Sequence, residues 1–208
     1  TPRVRFALHH FLGAEISDLN EELLRLFMLG AVTRIFQPGH KFDMMLCLTG
    51  GQGAGKSSFF RFLAGNDEWF SDDLRRLDDE NIYRRMMGHW IIEMSEMIAT
   101  GNAKNVEEIK SFLSRQKDTY KVPYDKFPAD RPRQCVFAGT SNKLDFLPHD
   151  RSGNRRFLPI RIDPDKAEVH ILANQQTSRA YFNQLWAEIM VIYRSGEYSL
   201  QLSKEASK

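Results

Sequence analysis

Between Ile16 and Ile35 the apolar residues Leu19, Leu23, Leu26, Phe27 and Val32 recur at helical spacing. Pro38-Gly39 stops that pattern. Met44 to Thr49 is a short, almost wholly apolar run, the mark of a strand buried on both faces. A glycine-rich stretch follows, and then a helix is predicted over about Lys56 to Ala64. "GHWIIEM" around Ile91 reads as a second buried strand and Gln134 to Thr140 as a third. A fourth is predicted at 155–162, where Pro159 assigns it to a sheet edge because proline lacks the donor an inner strand needs. Phe182, Leu185, Trp186, Ile189, Met190 and Tyr193 form a helical stripe near the end, read as a core-packing helix. Strands alternating with helices imply an α/β fold with a mostly parallel, helix-covered sheet.

At 208 residues, with 42% apolar and 27% charged positions, the chain has the makings of one sizeable core. The expected layout is an N-terminal helical segment (1–40), an α/β core (41–165) and a C-terminal helical segment (166–208). A net charge of +2 does not announce a polyanion binder, so any basic surface has to be local. No apolar run approaches a membrane span, and "TPRVRF" is no signal peptide; a chain opening on Thr1 reads as a piece of something longer. Cys47 and Cys135 sit in strand-like runs and read as buried thiols, which suits a reducing, cytoplasmic compartment. The six histidines show no spacing that would hold zinc.

"GGQGAGKSS" (50–58) lies between a predicted strand and a predicted helix, the context in which G-x-x-x-x-G-K-[ST] (the Walker A pattern) makes a phosphate site. Gly50, Gly55, Lys56 and Ser57 fill the pattern, and Gly51, Gln52, Gly53, Ala54 and Ser58 complete the expected nucleotide-binding stretch. Without Cβ atoms the backbone curls so that successive N–H groups point at phosphate oxygens, and the helix adds its positive end. Lys56 is expected to reach the β- and γ-phosphates of ATP, and the Ser57 hydroxyl to ligate Mg²⁺. The plainer alternative is a glycine turn that binds nothing. "WIIEMSEM" supplies Glu93 near the end of a buried strand and Glu96 three residues on. Glu93 is expected to hold the metal's water shell and Glu96 to orient or deprotonate the attacking water. Two solvated glutamates at a helix start are the competing reading. Asn142, at the tip of the third strand, is a candidate polar sensor of the γ-phosphate. The letters Asn142-Lys143-Leu144-Asp145 also fit the N-K-x-D pattern that reads guanine, although no D-x-x-G precedes them after the glycine loop.

Six blocks in order, "PGHKFDMMLCLTGGQGAGKS", "WFSDDL", "GHWIIEMSEM", "FLSRQKDTYKVPYDK", "FAGTSN" and "DRSGNRRFLPI", resemble the virulence-associated E (VapE-like) family over roughly residues 20 to 195. Its helicase portion is grouped with superfamily-three, AAA+-related helicases of phages and mobile elements. The resemblance implies a three-layer P-loop fold, a ring (usually a hexamer) that moves along DNA on ATP hydrolysis, and a primase-like domain upstream in the full-length chain. It also implies a DNA-binding hairpin at about 112–130. There Arg115, Lys117, Lys121 and Lys126 alternate with Tyr120, Tyr124 and Phe127 around Pro123, so cations can meet phosphates and aromatics can stack on bases. Asp118 and Asp125 dilute that charge, and a solvated basic loop is the alternative. Finally it implies that Arg155 and Arg156 supply an arginine finger to a neighbouring subunit and a second sensor, with Arg151 next in line. Two functions compete: a ring-shaped DNA helicase or translocase, and a nucleotide-dependent initiator or loader that binds DNA without unwinding it.

Overall fold

Five short strands, each flanked by helices, assemble into one sheet in the order β2-β3-β6-β1-β7. The computed structural model describes residues 2–74, 77, 82–95, 103–121, 126–142 and 154–203. The elements are α1 (Val4–Leu12), α2 (Asp18–Phe36), β1 (Met45–Thr49), α3 (Lys56–Leu63), β2 (Phe70–Ser71), α4 (Ile82–Met86), β3 (Ile91–Ser95), α5 (Ala103–Leu113), β4 (Lys117–Tyr120), β5 (Ala129–Pro132), β6 (Val136–Ser141), β7 (Phe157–Arg161) and α6 (Gln175–Ser195). Every neighbouring pair in the main sheet is parallel. β4 and β5 form a separate antiparallel hairpin.

The strand residues divide by parity, as a pleated strand requires. Leu46, Leu48, Ile91, Val136, Ala138, Leu158 and Ile160 join a core with residues of α1, α2, α3 and α6. Met45, Cys47, Ile92, Met94, Phe137 and Phe157 face the opposite way, onto α4 and α5. Burial on both faces explains why the inner strands are apolar throughout rather than alternating. The terminal helical segments therefore share one core with the sheet. Both cysteines are buried free thiols, and burial raises the pKa of each.

The helix ends follow local chemistry. The Ser17 hydroxyl accepts the Asn20 N–H at 3.2 Å to open α2, and the Asn174 side chain accepts the Thr177 N–H at 3.0 Å to open α6. Pro159 lies in β7, and β7 is the edge strand, as the missing proline donor demands. One element differs from the sequence reading. Residues 154–156 form a 3₁₀ turn before β7, so Arg155 and Arg156 are not in an extended run.

Two topological facts position the site. β6 is inserted between β1 and β3, so the tip of β6 lies between the glycine loop and the acidic strand. Parity then turns Glu93 and Thr140 toward the same face as Ile91 and Ala138, the face covered by α3.

Candidate nucleotide site

The loop from Gly50 to Gly55 leaves β1 and turns into α3, whose N-cap is Gly55. Its start is pinned by the Gly50 N–H, which donates to the Ser141 carbonyl at 3.1 Å. A Cβ at Gly50 would lie 2.5 Å from Ile162 Cγ1 and 2.9 Å from the Ile162 carbonyl oxygen, so only glycine fits between β1 and the chain leaving β7. Gly53 has φ +79°, a left-handed conformation that side chains resist, and a Cβ there would meet nothing within 4 Å. The loop is thus tightly held at its base and open at its crown, where a ligand can approach the backbone.

Lys56, 9% exposed as a residue, donates from its ammonium to the Gly50 carbonyl at 2.8 Å, the Gly51 carbonyl at 2.7 Å and Asn142 Oδ1 at 3.0 Å. Loop, lysine and sensor candidate are therefore joined directly. The next residue is joined to the acidic strand: Ser57 Oγ donates to Glu93 Oε1 at 2.8 Å. Glu93 is fully buried at the middle of β3, not at its carboxyl end. Its Oε1 also accepts the Thr140 hydroxyl at 2.5 Å and the Ser95 hydroxyl at 3.0 Å. Its Oε2 is buried and accepts no hydrogen bond from the described residues.

A buried carboxylate oxygen with no donor is costly and calls for a ligand. Beside Ser57 it fits Mg²⁺, a hard cation that takes one or two protein oxygens and fills its remaining positions with phosphate and water. Among the described residues no group of three or more His, Cys, Asp or Glu side chains converges on a metal position. Glu96, the expected water-activating acid, lies outside the described residues.

The remaining candidates fall elsewhere. Arg155 and Arg156 lie at the start of β7, and the register pairs Met45 with Phe157 and Thr49 with Arg161. Four strand steps, about 13 Å, therefore separate them from the end of β1 where the glycine loop begins. Arg156 is tied at that far end to Asp43 at 3.0 Å and to the Ser114 hydroxyl at 3.2 Å. Neither arginine is brought to its own chain's phosphate loop. Arg155 is exposed and lines a groove with Lys41, Asp43, Arg194 and Tyr198.

The expected hairpin is present as β4 and β5, with residues 122–125, which include Pro123, Tyr124 and Asp125, outside the described set. Lys121, Lys126 and Arg115 are exposed. Phe127 is 77% exposed. Lys117 is bonded to Asp130, which with the Thr119 hydroxyl holds the Asp130 carboxyl below the usual carboxylate range. The base is fixed by a buried pair: Arg133 grips both oxygens of Asp118, at 2.6 and 2.8 Å, and donates to the Phe112 carbonyl at 2.6 Å. Its guanidinium lies over the Phe112 ring, 4.4 Å from the centroid. Asp118 therefore anchors the hairpin and is withdrawn from the charge it presents.

The family model of the virulence-associated protein E-like domain matches residues 1–208. The chain belongs to that family. Two apo A-form structures of the NrS-1 C-terminal region align with 100% of this VapE-like domain, at 15% and 16% identity with TM-scores of 0.48 and 0.49. The domain spans 50% of the length of each of those chains. No curated protein matches it. No helix among the described residues is long and apolar enough to cross a membrane.

Sequence reasoning missed three groups that matter here. Thr140 and Ser95 complete the donor set on Glu93, and only the β3–β6 register, which pairs Glu93 with Ala138, brings Thr140 within reach. Parity alone would have placed Ser95 on the face of Glu93. The Asp118–Arg133 pair was hidden because strands of sequence KDTY and ADRP carry no apolar alternation.

Proposed function

We propose that this VapE-like domain binds ATP with Mg²⁺ at the Gly50–Ser58 loop and hydrolyses it between subunits of a ring. We further propose that hydrolysis drives the ring along DNA as the superfamily-three, AAA+-type helicase part of a replication protein. The observation that carries this reading is the joined set Lys56–Asn142 and Ser57–Glu93, which links the carboxyl ends of β1 and β6 to the middle of the adjacent β3. In open α/β sheets ligands bind outside those ends, and phosphates favour a helix N-terminus there.

Each group then has a task. Lys56 exchanges its loop carbonyls for β- and γ-phosphate oxygens. Ser57 and Glu93 hold the metal, directly and through water. When bound, Mg²⁺ supplies charge neutralisation across the phosphate oxygens. Asn142 reads the γ-phosphate from the tip of β6, and Glu96 orients the attacking water. The Lys56–Asn142 bond supports the sensor role over guanine reading, because it puts the Asn142 side chain at the phosphate end of the site. Arg155, exposed at the opposite end of the sheet, is the group that can reach a neighbour's nucleotide, while Asp43 and Ser114 keep Arg156 in place beneath it.

A strand-displacement assay on forked DNA, with and without ATP and on a chain carrying the upstream domain, tests this function. ATP-dependent displacement is expected. ATP-dependent DNA binding without displacement would assign the domain to the initiator or loader class instead.

A further inference from the structure

A cavity of about 870 Å³ opens at the end of the sheet opposite the glycine loop. Trp69, Trp90 and Cys135, which immediately precede β2, β3 and β6, help line it. Its walls are unusually aromatic. Trp69, Tyr83, Trp90, Tyr120 and Trp186 all contribute, and Arg131 closes one side with its guanidinium 5.1 Å from the Tyr120 ring centroid. Tyr83 and Tyr120 lie parallel, with centroids 5.2 Å apart and 2° between their planes. Trp90 and Trp186 meet at 4.7 Å. Flat faces in that number suit a flat ligand.

The charge says which kind. The acids among the described lining residues are Asp118 and Asp130; the first is gripped by Arg133 and the second by Lys117. The mouth also carries cations: Arg115 donates to the Tyr83 hydroxyl at 3.0 Å, and exposed Lys121 directly follows Tyr120. An apolar peptide would gain nothing from that rim, whereas a strand that couples flat bases to phosphates gains from both parts. The cavity is also continuous with the hairpin, since Tyr120, Asp130 and Arg131 belong to β4 and β5.

We infer that this cleft takes an unstacked base of a DNA single strand, with the adjoining phosphates on Arg115 and Lys121. The inference rests on the reading of the hairpin as a DNA-contacting element and extends base stacking from the hairpin's own aromatics to the cleft lined by Trp69, Trp90 and Trp186. Stacking is tolerant of sequence, because every base has a π-face. The cleft would therefore grip a strand without selecting an origin.

The test uses an oligodeoxythymidylate and an abasic strand of equal length, titrated over a range of salt. Trp69 is the variant of choice, because it lines the cleft and is 48% exposed, so its removal spares the core. Trp69→Ala is expected to weaken oligodeoxythymidylate binding about 5- to 150-fold, the range measured for loss of one base–aromatic stack. The salt slope should stay unchanged, because no phosphate contact is lost. Trp69→Phe should keep most of the affinity, and the abasic strand should bind wild type and Trp69→Ala alike. Wild-type affinity of Trp69→Ala for oligodeoxythymidylate overturns the inference. So does a shift of Trp69→Ala in sedimentation toward a smaller species, which would give the cleft to a second copy of the chain. Neutralising Lys121 and Lys126 separates the two claims. A reduced salt slope there keeps the hairpin as the DNA contact even if the cleft fails, and an unaltered slope sinks the hairpin reading too.

Discussion

The Ser57 hydroxyl donates to Glu93 Oε1 at 2.8 Å, linking the first turn of α3 to the middle of β3. Among the described residues the same oxygen takes three hydroxyl donors, while Oε2 has none. Glu93→Gln keeps an Oε1 for those hydroxyls and removes a buried charge. We expect a melting midpoint at or above wild type together with loss of Mg²⁺-dependent ATP binding. Paired calorimetric scans and titrations with and without Mg²⁺ check this; a destabilised variant that still binds ATP with Mg²⁺ would contradict it. Glu96→Gln should instead bind ATP and Mg²⁺ normally and turn over poorly.

The two carboxylates on the hairpin should behave oppositely. Asp118 and Arg133 are buried, with side chains 5% and 1% exposed, so Asp118→Ala leaves an uncompensated guanidinium and should cost about 3–5 kcal/mol. Asp130 pairs with an exposed Lys117, and Asp130→Ala should change stability by less than about 1 kcal/mol. Denaturant unfolding measures both, and equal costs would show that the buried pair does not anchor the hairpin.

DNA affinity should follow the free cations of that hairpin. Neutralising Lys121 or Lys126 should each flatten the dependence of log K on log salt by about one unit. Neutralising Lys117 should do less, because Asp130 already holds it. The loss should be uniform across sequences, since phosphate contacts carry no base information.

The strand, glycine loop and helix were legible because they are local: the three are consecutive, and Gly50 to Ser58 carry the whole pattern. The apolar strands were legible because burial on both faces leaves them unbroken runs. What escaped depends on register or on length. β2 has only two residues, too few to show a period. α1, whose Val4, Ala7, Leu8, Phe11 and Leu12 recur at helical spacing before Gly13, falls within the helical segment expected over 1–40. Arg155 and Arg156 were read as extended because β7 follows them directly; the 3₁₀ turn and the Asp43 partner are tertiary facts.

A ring that completes its site between subunits predicts rescue by mixing. Arg155→Ala and Lys56→Ala chains, each inactive alone, should recover ATP turnover when mixed, because a mixed interface can pair an intact loop with an intact arginine. An outside arginine is worth roughly 10³–10⁵ in rate in other phosphoryl-transfer enzymes. Arg156→Ala should recover less, since its guanidinium is held by Asp43 within its own chain. No recovery with Arg155→Ala in preparations shown to form mixed rings would move the finger elsewhere, with Arg151 next.

The central claim, that the Gly50–Ser58 loop is a Mg²⁺·ATP site, is tested most directly by binding, which needs neither ring nor DNA. A non-hydrolysable ATP analogue is titrated into wild type and Lys56→Ala, with and without Mg²⁺. Lys56 holds two loop carbonyls and Asn142, so the variant also needs a scan showing that it is folded. The account predicts Mg²⁺-dependent binding by wild type and none by the folded Lys56→Ala chain. Equal affinity in the two chains would contradict it.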